Sequence, residues 1–182
     1  NKMDETIFTS KFSEASFKSA EFDVQEKPGV VVKMNKPSSV LFEGVDTDTY
    51  KPINKFSDEV NEVFKDVDED FGLLFVGHWL GGGLGQDRKD VGMLIKVFIE
   101  TFKNIKNPPA LFLKTSGADF SILDREDILK KIEHIKKGVK GVLPNIYLIH
   151  GDFTDEQMNE LYNYPKVKAH ITFTHGEGFG RP

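Results

Sequence analysis

The sequence predicts an α/β fold in which helices flank a parallel, Rossmann-like sheet. From Phe71 onward, short apolar runs alternate with amphipathic stretches whose apolar residues recur at the helical period. Glycine-rich loops follow two of the apolar runs, which is typical of α/β folds that bind ligands at the carboxyl ends of their strands. A length of 182 residues with 38% hydrophobic residues is sufficient to form the core of such a domain.

The first predicted strand-helix unit of the sheet begins with a buried strand over residues 71–76. A glycine-rich loop covers residues 77–86, and Asp90 is predicted to cap the helix that follows. Asn107-Pro108-Pro109 is predicted to stop that helix before the next strand, residues 110–113. The apolar side chains predicted to share one face of the helix are Val91, Leu94, Ile95, Phe98, Ile99 and Phe102.

The remaining elements of this half continue the alternation. A second helix is predicted to begin near Asp124, and a third strand to cover residues 145–149. Thr154 and Gln157 stand at the spacing of a capping box, which opens the next helix. The last strand is predicted over residues 169–173. The inward-facing residues of the second helix are predicted to be Ile128, Ile132, Ile135 and Val139.

The first half of the chain is less regular. Residues 44–52 have no periodicity and read as a connector, so we divide the chain into residues 1–52 and residues 53–182. The elements predicted here are a strand at Ile7-Phe8, a helix from Ser10, strands over 30–32 and 40–42, and a short helix carrying Phe56, Val60, Val63 and Phe64.

The composition excludes several classes of function. The chain has no cysteine, which excludes disulfides, thiolate metal sites and cysteine nucleophiles and favours a reducing, cytoplasmic location. A net charge of −5 argues against binding to nucleic acid, which needs clustered Lys and Arg. No apolar run reaches the ~20 residues of a transmembrane segment. The five histidines lack a metal-binding spacing such as His-Glu-x-x-His, so no metal site is predicted.

Two glycine-rich loops are the candidate ligand-binding segments. The first, residues 77–85, precedes Arg88 and Lys89 at a predicted helix start, and the second, residues 174–182, places Glu177 among glycines. Glycine lets the backbone approach a ligand, and helix amides with a nearby cation attract anions, so the first loop suits a diphosphate. It matches neither the Walker nor the dinucleotide-binding glycine pattern. A carboxylate in the second loop can accept hydrogen bonds from sugar hydroxyls. The alternatives are a solvated surface loop and a tight turn with an exposed glutamate.

Four segments resemble one enzyme family. Glu177-Gly178-Phe179-Gly180 resembles the Glu-Gly-Phe-Gly opening of the family-4 retaining glycosyltransferases, which have the two-domain GT-B fold. Residues 9–13 are similar to the last strand-helix unit of the family's acceptor domain, and residues 41–52 to its interdomain connector. Residues 75–78, followed by 88–90, resemble the first strand and phosphate-binding segment of its nucleotide-binding domain. The segments occur in the family's order.

The resemblance implies roles for individual residues. Lys89 would neutralise the donor diphosphate and Glu177 would hold hydroxyls of the donor sugar, which makes these two the predicted catalytic residues. Gly151 and Phe153 follow the third strand, where the family binds the base. The full set of predicted donor-binding residues is Gly77, His78, Arg88, Lys89, Gly151, Phe153, Gly178, Phe179 and Gly180.

The chain departs from the family pattern in two places. His78 stands where the family often has arginine, which leaves Arg88 as the candidate second cation. The sequence ends before the second glutamate of the family motif, which usually contacts the ribose.

By the same resemblance, residues 1–52 would be the C-terminal remnant of an N-terminal acceptor domain with its connector, and residues 53–182 a truncated nucleotide-sugar-binding domain. The parent protein would be a hexosyltransferase-type, retaining glycosyltransferase that uses a UDP-, GDP- or ADP-sugar and needs no cofactor. Its acceptor would be a sugar, lipid or protein. We expect the chain alone to be inactive, since the family's cleft lies between two domains, and to be prone to self-association through an incomplete sheet.

Two other functions remain open at this point. A non-catalytic nucleotide-binding module would bind nucleotides without needing Lys89 or Glu177 for activity. An NAD-dependent oxidoreductase would use the same class of fold, although the dinucleotide glycine motif is missing.

Overall fold

The computed structural model describes residues 3–81 and 84–177. The chain forms two compact units, Asn1–Asp46 and Thr47–Pro182. Residues 47–52, which the sequence assigns to a connector, belong to the second unit. Within it, the Lys51 amide donates to the side-chain oxygen of Asn159 at 3.2 Å, and the Lys51 carbonyl accepts from Asn159 and Asn163.

The described residues of the first unit form one helix and two small sheets. Strand β1 (Thr6–Phe8) pairs in parallel with β4 (Ser38–Val40), and β2 (Glu21–Asp23) pairs antiparallel with β3 (Val31–Lys33). Helix α1 (Lys11–Ser19) begins after Ser10, whose hydroxyl accepts from the amide of residue 13.

The predicted first strand and helix of this unit are confirmed. The strand predicted over 30–32 lies one residue further along, at Val31–Lys33, the strand predicted over 40–42 lies two residues earlier, and one further strand was not predicted. The strand predicted over 40–42 ends at Val40, because the Leu41 amide makes a last bond to Phe8 and both Leu41 and Phe42 are then exposed. Strand β2 was not predicted, since its residues Glu21-Phe22-Asp23 are all exposed and carry no alternating apolar pattern.

The second unit confirms the α/β prediction. Its four-stranded sheet has the order β7-β6-β5-β8 and every neighbouring pair is parallel. The elements in chain order are α2 (Asp58–Phe64), β5 (Gly72–Val76), α3 (Val91–Phe102), β6 (Ala110–Lys114), α4 (Ile122–Lys137), β7 (Ile146–Ile149), α5 (Asp155–Asn163) and β8 (Val167–His170).

Alternate residues of the two central strands enter two hydrophobic cores, one on each face of the sheet. Phe75 and Leu113 pack in the core that α3 and α4 cover, whereas Leu74 and Phe112 pack in the core that α2 and α5 cover. All four side chains are fully buried. This is the pattern of a parallel sheet covered on both faces, in which each such side chain contributes about 1.5–3 kcal/mol of hydrophobic free energy.

Two predicted helix starts differ from the structure. Asp90 precedes α3, but its backbone is left-handed (φ 47°) and its carboxylate accepts from the Gly85 amide at 2.9 Å instead of capping the helix. Helix α4 begins at Ile122 and is capped by Ser121, two residues before the predicted start. The capping box predicted at Thr154 is confirmed.

The last strand was predicted too far along the chain. Strand β8 covers Val167–His170, and the Ile171 amide makes a final bond to the Leu74 carbonyl at 2.8 Å. Beyond this point the backbone leaves the sheet, because the His175 amide donates to the Arg88 carbonyl at 2.9 Å. This change of direction brings the residues around His175 to the loop before α3.

Candidate functional site

The carboxyl ends of β5 and β6 form the edge of the sheet at which the predicted site lies. Backbone pairing continues past both strands: the Gly77 amide donates to the Lys114 carbonyl at 3.1 Å, and the Trp79 amide donates to the Ser116 carbonyl at 2.8 Å. Loops that leave adjacent parallel strands are thereby held side by side, which is where ligands bind in open α/β sheets.

Lys89 is a buried lysine whose side chain runs beside Gly77. The residue is 7% exposed, and a Cβ added to Gly77 would lie 3.3 Å from Lys89 Cε. Gly77 also has a φ of 152°, a conformation that L side chains rarely adopt. Glycine is therefore needed here for both the backbone angle and the passage of the lysine.

The ammonium of Lys89 is paired with the carboxylate of Glu177. Arg88 contacts the same carboxylate at 3.2 Å and donates to the Gly176 carbonyl at 3.0 Å. The Thr174 hydroxyl donates to the Arg88 carbonyl at 3.3 Å. The structure thus brings two predicted cations and the predicted glutamate into one cluster, although they are 88 and 89 residues apart in sequence.

Glu177 is held in its charged form by this cluster. Its hydrogen bond with Lys89 lowers the pKa of the carboxyl below the ordinary 4.5, and bonds with Thr174 and Arg88 add to that effect against the opposing influence of burial. At neutral pH the site therefore contains a carboxylate between two cations.

Gly151 and Phe153 lie around a second buried lysine, Lys114, which ends β6. Its ammonium donates to the Gly151 carbonyl at 2.5 Å and lies 4.6 Å from the centroid of the Phe153 ring. His78 bonds through Nδ1 to the Ser116 hydroxyl at 3.0 Å. A cavity of about 120 Å³ is lined by Gly77, His78, Lys114, Thr115, Ser116 and Phe120 among others.

Sequence reasoning did not single out Lys114 or Thr115. The signal was present, since Lys114 ends a strand whose five residues are all buried, and a lysine in such a position needs a polar partner. Of the predicted site residues, Gly178, Phe179 and Gly180 lie outside the described residues. The roles of the others stay predictions.

The loop between β6 and α4 is fastened by a buried Asp124–His150 pair that the sequence analysis also missed. The Asp124 carboxylate accepts from the Gly117 amide at 3.0 Å, from the Ala118 amide at 3.1 Å and from His150 Nε2 at 2.9 Å. The side chains of Asp124 and His150 are 11% and 5% exposed. These bonds hold the loop that carries Phe120, a wall of the 120 Å³ cavity.

Asp124→Ala should lower the free energy of unfolding by about 1–3 kcal/mol at neutral pH, because it leaves the part-buried Gly117 amide and the His150 side chain, which is 5% exposed, without their acceptor. Asp127→Ala is the matched control, since Asp127 lies on the same helix and, among the described residues, makes only an exposed pair with Lys131, which contributes a few tenths of a kcal/mol. Urea unfolding of both variants measures the difference. Equal stabilities of the two variants would contradict the assignment.

The same substitution has a pH signature. Burial raises the pKa of Asp124, but hydrogen bonds from His150 and the two amides outweigh it, so the pKa lies below 3.8. A carboxyl with a lowered pKa stabilises the fold above its unfolded pKa and loses that contribution as pH falls through the folded value. The difference in the free energy of unfolding between wild type and Asp124→Ala should therefore have its full value at about pH 5–7 and should shrink below about pH 4.

Neither a metal site nor a membrane-spanning helix is found in the part of the chain that the structure describes. Among residues 3–81 and 84–177, no three His, Asp or Glu side chains gather closely enough to hold a metal ion. In the same residues, no helix combines the length and apolar character needed to cross a membrane.

Comparison with known proteins supports the α/β fold. No family model and no curated protein matches the chain. Among solved structures, it is similar to the 1.35 Å crystal structure of the C-terminal domain of a glycosyl transferase group 1 family protein (LpcC) from Francisella tularensis, with a TM-score of 0.50. The chain shares the fold of that domain.

The match is partial in both length and sequence. The two chains are 17% identical, and the similarity covers 75% of this chain and 62% of the other. This chain thus spans less than two thirds of the solved domain. At this identity the similarity establishes the α/β architecture, while activity must be argued from the site itself.

Proposed function

We propose that the protein to which this chain belongs is a glycosyltransferase that moves a sugar from a nucleotide-sugar donor to an acceptor. The observation that carries the proposal is the buried Lys89, aligned beside Gly77 at the carboxyl edge of the sheet and facing Glu177 and Arg88. Burial and its position beside Gly77 hold the side chain in place, as expected for a group that recognises a diphosphate.

Such a cation suits the chemistry of sugar transfer. When the bond from the sugar to the nucleoside diphosphate breaks, negative charge builds up on the leaving phosphate oxygen. A fixed ammonium stabilises that charge more in the transition state than in the ground state, which is the condition for catalysis. Glu177 would accept hydrogen bonds from hydroxyls of the donor sugar, and Arg88 would add a second positive charge that is more exposed.

The fold is consistent with this proposal, since the similar solved domain comes from a group 1 glycosyltransferase. Retention of the anomeric configuration and membership of family 4 are further proposals that rest on the glycine-rich motif around Glu177. The acceptor, whether sugar, lipid or protein, would be bound largely outside this chain. We therefore expect the chain alone to bind donor without sustained transfer.

A ligand panel tests the proposal. UDP, GDP, ADP, their common sugar conjugates and NAD are compared by thermal shift, and a sugar nucleotide present at 100 times its Kd should stabilise the chain by about 2.7 kcal/mol. Stabilisation by NAD alone would instead favour an oxidoreductase. If the full-length protein binds sugar nucleotides yet transfers sugar normally with Lys89 and Glu177 replaced, the catalytic assignment is wrong.

A further inference from the structure

Lys114 is a buried cation that the proposed chemistry does not use. It is 8% exposed, its ammonium donates to the Gly151 carbonyl, and it lies 5.2 Å from the ring centroid of Phe120 and 4.6 Å from that of Phe153. Within the described part of the chain it forms no salt bridge; burial lowers the pKa of its ammonium, and the negative charge of Asp152 offsets part of that effect. An ammonium has three hydrogens to donate, so one carbonyl leaves donor capacity toward the adjoining cavity.

The next residue, Thr115, adds an unsatisfied polar group to the same cavity. Thr115 is 2% exposed, and its hydroxyl is buried with no hydrogen-bond partner among the described residues. Buried hydroxyls are nearly always bonded, and one without a partner costs stability. A ligand bound in the cavity could supply the missing hydrogen-bond partner of the Thr115 hydroxyl.

The cavity itself suits a planar ring edge. Its volume is about 120 Å³, and its lining combines the Phe120 ring and His78 imidazole with the polar groups of Lys114 and Thr115. Gly77 lines the cavity, and the Lys89 side chain runs beside the same residue, so that a Cβ added there would lie 3.3 Å from Lys89 Cε. A donor whose diphosphate lies against Lys89 would thus have its base end beside Lys114.

We propose that Lys114 and Thr115 select the base of the donor, and that they favour a base with a ring carbonyl, uracil or guanine, over adenine. An ammonium can only donate a hydrogen bond, and the carbonyl oxygens of uracil and guanine accept one. Adenine carries an amino group where guanine carries its carbonyl. The amino group is a donor like the Lys114 ammonium, so the two could not form a hydrogen bond with each other. This inference rests on the proposed function and adds the class of nucleotide.

Calorimetric titration of the chain with UDP, GDP, ADP and pyrophosphate tests this selection. UDP or GDP should bind about tenfold more tightly than ADP, the effect of one charge-assisted hydrogen bond. Lys114→Met keeps the aliphatic stem and should abolish that preference while leaving pyrophosphate affinity unchanged. Comparison of the UDP and GDP titrations identifies which base is used.

Thr115→Val provides a second variant that is expected to fold at least as well as wild type. Removing an unpaired buried hydroxyl should raise the melting temperature of the free chain, and the same change should weaken binding of the preferred nucleotide several-fold. A merely structural threonine would not produce these opposite effects. This variant carries the test if Lys114→Met does not fold.

Three results would overturn the inference. Equal affinities of the wild type for UDP, GDP and ADP would remove base selection but leave the proposed function intact. Weaker pyrophosphate binding by Lys114→Met would make Lys114 a second phosphate-binding cation. Absence of binding by every nucleotide would remove both the proposed function and the base selection that depends on it.

Discussion

Replacement of Lys89 by methionine should weaken binding of pyrophosphate and of nucleoside diphosphates at least ~30-fold, which corresponds to the loss of about 2 kcal/mol or more of binding free energy. In the full-length protein the same change should lower kcat for sugar transfer by about 10²–10³, the usual effect of removing one transition-state charge stabiliser.

Two effects of the same sign produce this large loss. The substitution removes a cation that lies beside Gly77 and belongs to a residue that is only 7% exposed. It also leaves the Glu177 carboxylate without its main partner, and that negative charge would then repel an incoming diphosphate. Arg88 compensates only in part, because its side chain is 60% exposed and screened by solvent.

Lys96→Met is the matched control, since Lys96 is an exposed lysine on the helix that follows Lys89 and its loss changes the net charge equally. Titration calorimetry with pyrophosphate should show wild-type affinity for this control. The double variant Lys89→Met/Glu177→Gln should regain part of the lost affinity, because the repulsive carboxylate is gone. Wild-type binding by Lys89→Met would eliminate the diphosphate assignment.

The sheet could be predicted because each of its strands and helices carries a local pattern. The sequences of β5 and β6 are nearly continuous apolar runs. The capping box of Thr154 and Gln157 predicts the start of α5. Parallel strands also place the loops that follow them at one edge, so proximity of the two glycine-rich loops was a consequence of the fold class.

The site's finer structure could not be predicted because its partners are distant in sequence. Nothing near Lys114 indicates that its ammonium bonds to Gly151, and nothing near Asp124 indicates that it accepts from His150. Asp90 shows the same limit locally: the residue type suits a helix cap, but its carboxylate is taken by the Gly85 amide, and the Asp87 carboxylate lies 3.5 Å from the first helical amide instead.

Replacement of Glu177 by glutamine should have opposite effects on two ligands. Pyrophosphate should bind about three- to fivefold more tightly, because Lys89 and Arg88 no longer have to leave a carboxylate before they contact phosphate. The gain corresponds to about 0.7–1 kcal/mol, the upper part of the range for partly exposed ion pairs. The Glu177 side chain is 26% exposed, so solvent screens the pair and keeps the gain modest.

Sugar transfer by the full-length protein should fall with the same variant. Glutamine can accept a hydrogen bond from a sugar hydroxyl through one oxygen, but it lacks the charge that strengthens such bonds about twofold. Because the lowered pKa keeps Glu177 ionised throughout the neutral range, the wild type has this charge at any ordinary assay pH. The discrimination between a nucleotide sugar and its free nucleoside diphosphate should therefore shrink in Glu177→Gln.

The opposite signs are what make this variant informative. Glu133→Gln is the control, since Glu133 is an exposed glutamate whose loss changes the net charge by the same amount, and it should alter neither affinity. If Glu177→Gln weakened pyrophosphate binding as well as transfer, Glu177 would be ordering the cation cluster instead of competing for it. Tighter pyrophosphate binding together with slower transfer would mean that the donor breaks the Lys89–Glu177 ion pair when it binds. Phosphate would then contact Lys89, and the sugar would contact Glu177.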